Sequence, residues 1–151
     1  MDIKKLADVK DRFADYEKIF NSGDYDKAAD ILSAILERIE ECTDERKAGT
    51  MDDTFVKKSD MDGRPIYISL NHVMEYYIYA FYFKPDCDVV LSELPYGEYY
   101  RSYGDLCVKS GRYKAGIEAY SNAICWNPVD LDAILGLAEC YKYLNMLKRY
   151  M

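Results

Sequence analysis

The 151-residue sequence contains few of the residues that a catalytic or metal-binding site needs. His72 is the only histidine, and none of the five cysteines belongs to a Cys-x-x-Cys pair. Zinc sites and catalytic dyads recruit several such residues at characteristic spacings. A glycine-rich phosphate loop and a nucleophile elbow are also missing. We therefore expect no enzyme, no cofactor and no metal ion, and we assign His72 to the surface or to a helix cap.

The cysteines are scattered along the chain and odd in number. Three of them lie on predicted apolar helix faces, where a reduced thiol acts as a small hydrophobic side chain. This usage is typical of a reducing compartment rather than of a disulfide framework. We expect a cytoplasmic protein with free thiols at Cys42, Cys87, Cys107, Cys125 and Cys140.

The chain has fewer basic than acidic residues. The chain has 20 Lys and Arg against 27 Asp and Glu, a formal net charge of −7. Nucleic acids and anionic membrane surfaces are bound by clustered basic residues, so neither is expected as the main partner. The apolar run Tyr76–Phe83 is far too short to cross a bilayer about 30 Å thick. No basic segment followed by an apolar run opens the chain, so no signal peptide is predicted.

The composition is that of a globular domain, with 50% hydrophobic and 31% charged residues. Its most informative stretch is 97–130, where two helix-period patterns flank a Ser-Gly-Arg-Tyr turn and Pro128 follows the second. Gly111 can take the left-handed conformation that closes a helix. Small residues are expected where the two helices cross, which lets their backbones approach. The pattern comprises Tyr100, Tyr103, Gly104, Cys107, Gly111, Tyr113, Gly116, Tyr120, Ala123 and Pro128.

This stretch resembles one complete tetratricopeptide repeat (TPR), a helix-turn-helix unit of about 34 residues that stacks into superhelical arrays. Two positions depart from the family pattern, because Gly116 replaces the usual alanine and Cys107 the usual aromatic residue. The turn pattern recurs at Asn21–Ala28, and the first-helix pattern recurs from Leu131. The resemblance implies a single domain, 1–151, with an all-α fold: a TPR-like α-α superhelix of antiparallel helix pairs.

We divide this domain into a first repeat (1–42), a degenerate repeat (43–96), the complete repeat (97–130) and a truncated repeat (131–151). Antiparallel pairs are predicted at 3–20 with 24–42 and at 97–110 with 113–126. The last helix is predicted from Leu131 to about Leu144, with Asn145 at the turn position. A second helix that has only begun by Met151 predicts a fragment of a longer chain, or an end covered by a partner.

The degenerate repeat carries an insertion with a β-hairpin signal near 54–69. Alternating apolar residues flank Asp60-Met61-Asp62-Gly63, and Asp-Gly favours a tight turn. This turn also has the first residues of a calcium loop, but it lacks the third ligand and the distal glutamate. A helix capped by Ser69 or Asn71 and ending at Phe83 should follow. Its aromatic sequence fits either a central helix buried on two sides or a surface that lines a binding groove.

The resemblance also implies a function, because the first helices of TPR units line a concave partner-binding groove. We expect a protein-interaction scaffold that binds a peptide or partner protein of mixed charge, without the carboxylate clamp of some family members. The alternatives are a ligand-sensing or regulatory module of a larger protein and a self-assembly element, with a possible homodimer through the C-terminal end. The predicted groove residues are Phe13, Glu17, Phe20, Glu98, Arg101, Asp105, Lys109, Leu135, Glu139 and Lys142.

Overall fold

A computed structural model describes residues 8–42, 66–84, 88–92 and 94–150 of the chain. This part is mostly helical, with six α-helices and one two-stranded parallel sheet. The chain divides into two compact units, Met1–Glu45 and Arg46–Met151. The predicted all-α class therefore fits the described residues, which also contain a small β-sheet. None of the described helices combines the length and the apolar character that a membrane span requires.

The first unit contains α1 (Val9–Asn21) and α2 (Tyr25–Cys42). Gly23 joins them with a φ of +91°, a left-handed conformation that glycine adopts without strain. Helix α2 buries residues that recur at steps of three and four, which is the spacing of one helical face. These residues are Ala28, Leu32, Ile35, Leu36 and Ile39. The predicted first helix pair is confirmed over residues 9–42.

The second unit contains the predicted complete repeat, α4 (Tyr96–Lys109) and α5 (Tyr113–Trp126). Gly111 closes α4 with a φ of +74°. Trp126, the last residue of α5, packs on Tyr96, the first residue of α4, with ring centroids 4.7 Å apart. The two helices are therefore antiparallel, as predicted.

Two glycines let α4 and α5 approach closely. A Cβ atom on Gly116 would lie 3.7 Å from the backbone oxygen of Gly104 and 3.0 Å from the sulfur of Cys140. On the other side of the crossing, a Cβ on Gly104 would lie only 2.8–2.9 Å from ring atoms of Tyr120. The predicted role of the two glycines at the helix crossing is confirmed.

Helix α6 (Leu131–Tyr150) packs against α5 and, less extensively, against α4. The prediction that a turn begins at Asn145 is wrong, because α6 continues through this residue to Tyr150. Asparagine is a weak helix former but no helix breaker, and neither glycine nor proline follows it. The buried face of α6 is made by Ala133, Gly136 and Cys140.

Within the described residues, the insertion forms a β-α-β unit. Strand β1 (Ile66–Ile68) pairs in parallel with β2 (Val89–Leu91), and α3 (Val73–Phe83) makes the crossover between them. Parallel neighbours need such a crossover, whereas a hairpin joins antiparallel strands through a short turn. The predicted second hairpin strand exists at 66–68 with a different partner, and residues 54–63 lie outside the described part.

The β-α-β unit has its own small core. Ile66, Ile68 and Tyr79 are fully buried, and Phe83 and Val89 pack against them. At the end of β1, the Ser69 N–H donates to the Trp126 carbonyl (2.9 Å) and the Ser69 hydroxyl accepts from the Gly97 N–H (3.0 Å). These bonds anchor the insertion to α4 and α5.

Candidate partner-binding surface

The surface between α4 and α6 is built over Tyr120. Its ring enters from α5 and fills the space where Gly104 of α4 and Gly136 of α6 carry no side chain. The ring is buried, and its hydroxyl donates a 2.5 Å hydrogen bond to Asp105 Oδ1 on α4. Glu139 of α6 also acts electrostatically on this hydroxyl. Tyr120 therefore brings predicted groove residues of α4 and α6 to one place.

Burial of Tyr120 and partial burial of the Asp105 carboxyl group change the acidity of this pair. Loss of hydration raises the pKa of Asp105, although the hydrogen bond from Tyr120 and the charge of Arg101 oppose the change. The pKa of Tyr120 is raised far above its ordinary value, first by burial and then by its bond to the Asp105 carboxylate. Tyr120 thus remains a neutral donor, and the nearby acids Asp130 and Asp132 act in the same direction as the loss of hydration on the pKa of Asp105.

Other predicted residues of the second unit lie on the exposed sides of the same helices. Leu135 keeps 58% of its surface accessible, which is high for a leucine. Glu98 at the start of α4 is half-buried. The exposed predicted residues are Asp105 and Lys109 on α4, and Leu135, Glu139 and Lys142 on α6.

Arg101 has a structural partner. Its Nη1 lies 3.1 Å from Oδ2 of Asp130, whose side chain is 2% exposed, and the arginine side chain itself is 19% exposed. Asp130 also accepts from the Ala133 N–H at 3.2 Å, which caps the start of α6. Arg101 therefore ties α4 to the α5–α6 loop in addition to bordering the surface.

The predicted groove residues of the first repeat lie in the first unit. Glu17 is exposed, whereas Phe13 and Phe20 are half-buried in an aromatic cluster with Tyr16 and Tyr25. Neighbouring ring centroids in this cluster are 5.3–5.9 Å apart. The two phenylalanines thus contribute to the packing of α1 on the start of α2.

Helix α3 presents a second, uncharged surface. Glu75 and Tyr79 are its buried residues, and most of the other side chains face solvent. The interpretation of α3 as a central helix buried on two sides is therefore wrong, because the helix packs through one narrow stripe. Its exposed residues are Val73, Met74, Tyr76, Tyr77, Ile78, Phe81 and Tyr82, with exposed fractions from 43% to 75%.

Sequence reasoning missed a buried polar network beneath α3. Glu75 Oε1 accepts from the backbone N–H groups of Asn71 (2.7 Å) and His72 (2.9 Å), and its Oε2 accepts from Asn127 Nδ2 (3.0 Å). The Asn71 amide donates in turn to Asp130 Oδ2 (3.1 Å). Glu75 is the only charged residue between Val73 and Phe83, and this isolation was the available signal. His72, assigned to the surface or to a helix cap, is exposed and is the N-cap residue of α3, so the prediction of a cap at Ser69 or Asn71 is wrong.

Cys107, Cys125 and Cys140 are buried and form no disulfide within the described residues. Burial raises the thiol pKa of Cys107 and of Cys140, so both are neutral thiols that fill space where α4, α5 and α6 meet. Over the described residues, no group of three or more His, Cys, Asp or Glu is placed to hold a metal ion. The Asp60–Gly63 turn lies outside these residues.

The chain was compared with protein-family models, curated proteins and solved structures, and none of them matched it.

Proposed function

We propose that this chain is a TPR-type protein-interaction scaffold of the cytoplasm, and that the α4–α6 surface binds a peptide or partner protein. Two helix pairs closed by left-handed glycines support the repeat architecture. Buried free thiols support a reducing compartment. The proposal assigns no catalytic step to the chain.

The observation that carries the proposal is the position of Tyr120 between two repeats. Its hydroxyl bonds to Asp105 of α4 and interacts with the charge of Glu139 of α6. Side chains about one repeat apart in sequence therefore belong to one surface. A stacked repeat array binds its partners through such surfaces, because neighbouring repeats contribute adjacent helices.

The charged and apolar side chains of this surface indicate what kind of segment it binds. Carboxylates at Asp105 and Glu139 alternate with the ammonium groups of Lys109 and Lys142, and Leu135 offers an exposed apolar side chain. An extended or helical segment with both signs of charge and an apolar anchor is complementary to it. A polyanion is a poor fit because acidic residues interrupt the basic ones.

The test is affinity capture with the whole chain as bait, followed by mass spectrometry. Leu135→Asp combined with Lys142→Glu changes the apolar and charged character of the surface. The matched control combines Lys114→Glu with Glu118→Lys on the exposed side of α5. Partners should be retained by the parent and the control and lost by the surface variant. Equal capture by all three proteins would contradict the assignment of this surface.

A further inference from the structure

The outer edge of β2 has hydrogen-bonding groups that the sheet does not use. The Ile66 N–H donates to the Asp88 carbonyl (3.0 Å), and the Ser92 N–H donates to the Ile68 carbonyl (2.9 Å). In a parallel ladder with this register, the N–H and C=O groups of Val89 and Leu91 point away from β1. Within the described residues no third strand pairs with them.

The side chains of β2 do not protect this edge. Natural edge strands are kept very short or carry charges, prolines or bulges that prevent pairing with other chains, and of these β2 has only its three-residue length. Residues 89–91 are Val-Val-Leu, and Val90 and Leu91 are exposed to 39% and 61%. An uncharged edge with directed backbone donors and acceptors is complementary to another extended backbone.

A pocket lies at the end of this edge. It has a volume of about 340 Å³ and is lined by residues of the β1–α3 loop and by Leu91, Ser92, Leu94 and Pro95. Val73, the first residue of α3, also lines it and is 75% exposed. Leu91 and Val73 thus form an apolar rim that can receive a side chain from a strand lying beside β2.

Helix α3 extends this rim along the sheet. Val73 lines the pocket beside Leu91, so helical spacing puts Tyr76 and Ala80 on the same flank of α3. Tyr76 is 43% exposed, and Ala80 is half-buried. A strand added to β2 would turn alternate side chains toward this flank and the other side chains toward solvent.

We propose that the outer edge of β2 is a docking site for an extended partner segment, which adds a third strand to the sheet. The segment is about five residues long and carries apolar side chains at alternate positions, one of which enters the Val73–Leu91 pocket. This site is formed by different residues from the α4–α6 surface and holds whether or not that surface binds a partner. A two-stranded sheet of three-residue strands gains stability from a third strand.

The probe is a seven-residue peptide that alternates valine with threonine between terminal lysines. Binding to the whole chain is followed by amide hydrogen exchange with residue resolution. Exchange should slow by about tenfold or more at Val89 and Leu91. The amides of Val90 and Ser92 should change little, because both already face β1.

Two N-methylated peptides serve as matched probes, one methylated at every valine and the other at every threonine. Only one of these patterns should abolish binding, because alternate N–H groups of a strand face its neighbour.

Leu91→Pro removes one outer N–H and leaves the ladder to β1 intact, since proline is tolerated on edge strands. It should weaken binding about tenfold, whereas Leu91→Thr should preserve the edge pairing. Thermal unfolding of both variants establishes that they fold. Absence of peptide binding by the parent, equal binding by the two variants or equal effects of the two methylation patterns would overturn the proposal. Self-association of the chain through β2 instead of peptide binding would also overturn it.

Discussion

Tyr120 determines the geometry at the crossing of three helices. Its ring occupies the space above Gly104 and Gly136, so α4 and α6 each lack a side chain where α5 contributes a large one. Closely packed interiors tolerate added volume poorly, because neighbouring side chains must leave their preferred rotamers. The two glycines are therefore required by one tyrosine, although they lie on different helices.

Gly104→Leu should lower the free energy of unfolding by about 1–3 kcal/mol or more, because the new side chain overlaps the Tyr120 ring. Urea denaturation followed by circular dichroism measures the change. Ala138→Leu is the matched control, since Ala138 is exposed on α6. Combining Gly104→Leu with Tyr120→Ala should cost less than the sum of the two changes. Equal losses for Gly104→Leu and Ala138→Leu would contradict the crossing described above.

The raised pKa of Asp105 predicts how the stability of the fold depends on pH. Loss of hydration raises its pKa above 3.8, its ordinary value, so the folded state holds this proton more tightly than the unfolded state. The contribution of Asp105 to stability is therefore present at low pH and is lost as pH rises through the folded pKa. At neutral pH the ionised carboxylate is destabilising.

Asp105→Asn should therefore raise the melting temperature at neutral pH by a small amount. The amide oxygen can still accept the hydrogen bond from Tyr120, and the charge is removed. The difference from the parent should shrink as the pH is lowered toward about 4, where the unfolded-state carboxyl gains its proton. Asp132→Asn removes the same charge without the Tyr120 contact and serves as the control. A pH-independent difference, or a lower melting temperature at neutral pH, would refute this account.

Among the elements, the helix pairs were predictable and the β-α-β unit was not. The turn at Gly111 and the stop at Pro128 are local signals, and the predicted bounds of α4 and α5 agree with the structure to within one residue. Strand pairing depends on contacts distant in sequence. The alternating pattern at 64–69 correctly indicated a strand, but it did not encode the parallel partner at 89–91.

The exposure of the candidate surface residues was predictable to a similar degree. Exposed positions on α4 and α6 followed from helical periodicity, which assigns every residue to a face. The roles of Arg101 and Asp130 did not follow, because they depend on how the α5–α6 loop meets α4. Gly136 was missed for the same reason. Gly136 leaves room for the ring of Tyr120, which lies 16 residues earlier in the sequence and on another helix.

Glu75 links the β-α-β unit to Asn127 at the end of α5, and its removal tests that link. Glu75→Ala would leave Asn127 Nδ2 and two backbone N–H groups without their acceptor, at about 1–3 kcal/mol for each buried group left unpaired. Denaturant unfolding should show a large loss of stability, and the amides of Asn71 and His72 should exchange faster. Glu139→Ala, on the exposed side of α6, should change little. Similar losses for the two variants would show that the network is dispensable.

Two helices in the described part of the second unit expose apolar surface. One such surface is the uncharged face of α3, and the other runs along α6 through Leu131, Ile134, Ala138 and Tyr141. Isolated exposed hydrophobic residues are normal, but a continuous helical stripe indicates an association surface. The net charge of −7 opposes contact between copies, so any self-association must occur where the surface is uncharged.

The apolar stripe on α6 leads us to predict that two copies of the chain form a dimer. Sedimentation velocity over a concentration series should show a reversible monomer–dimer equilibrium, because pairing would bury Ile134 and Tyr141, which are 41% and 51% exposed. Ile134→Lys combined with Tyr141→Lys should shift the equilibrium to monomer, since each dimer would bury unpaired charges. Phe81→Ser on α3 is the matched control and should leave it unchanged. A parent that stays monomeric at every concentration would exclude pairing through α6, and loss of the dimer in Phe81→Ser would move the contact to α3.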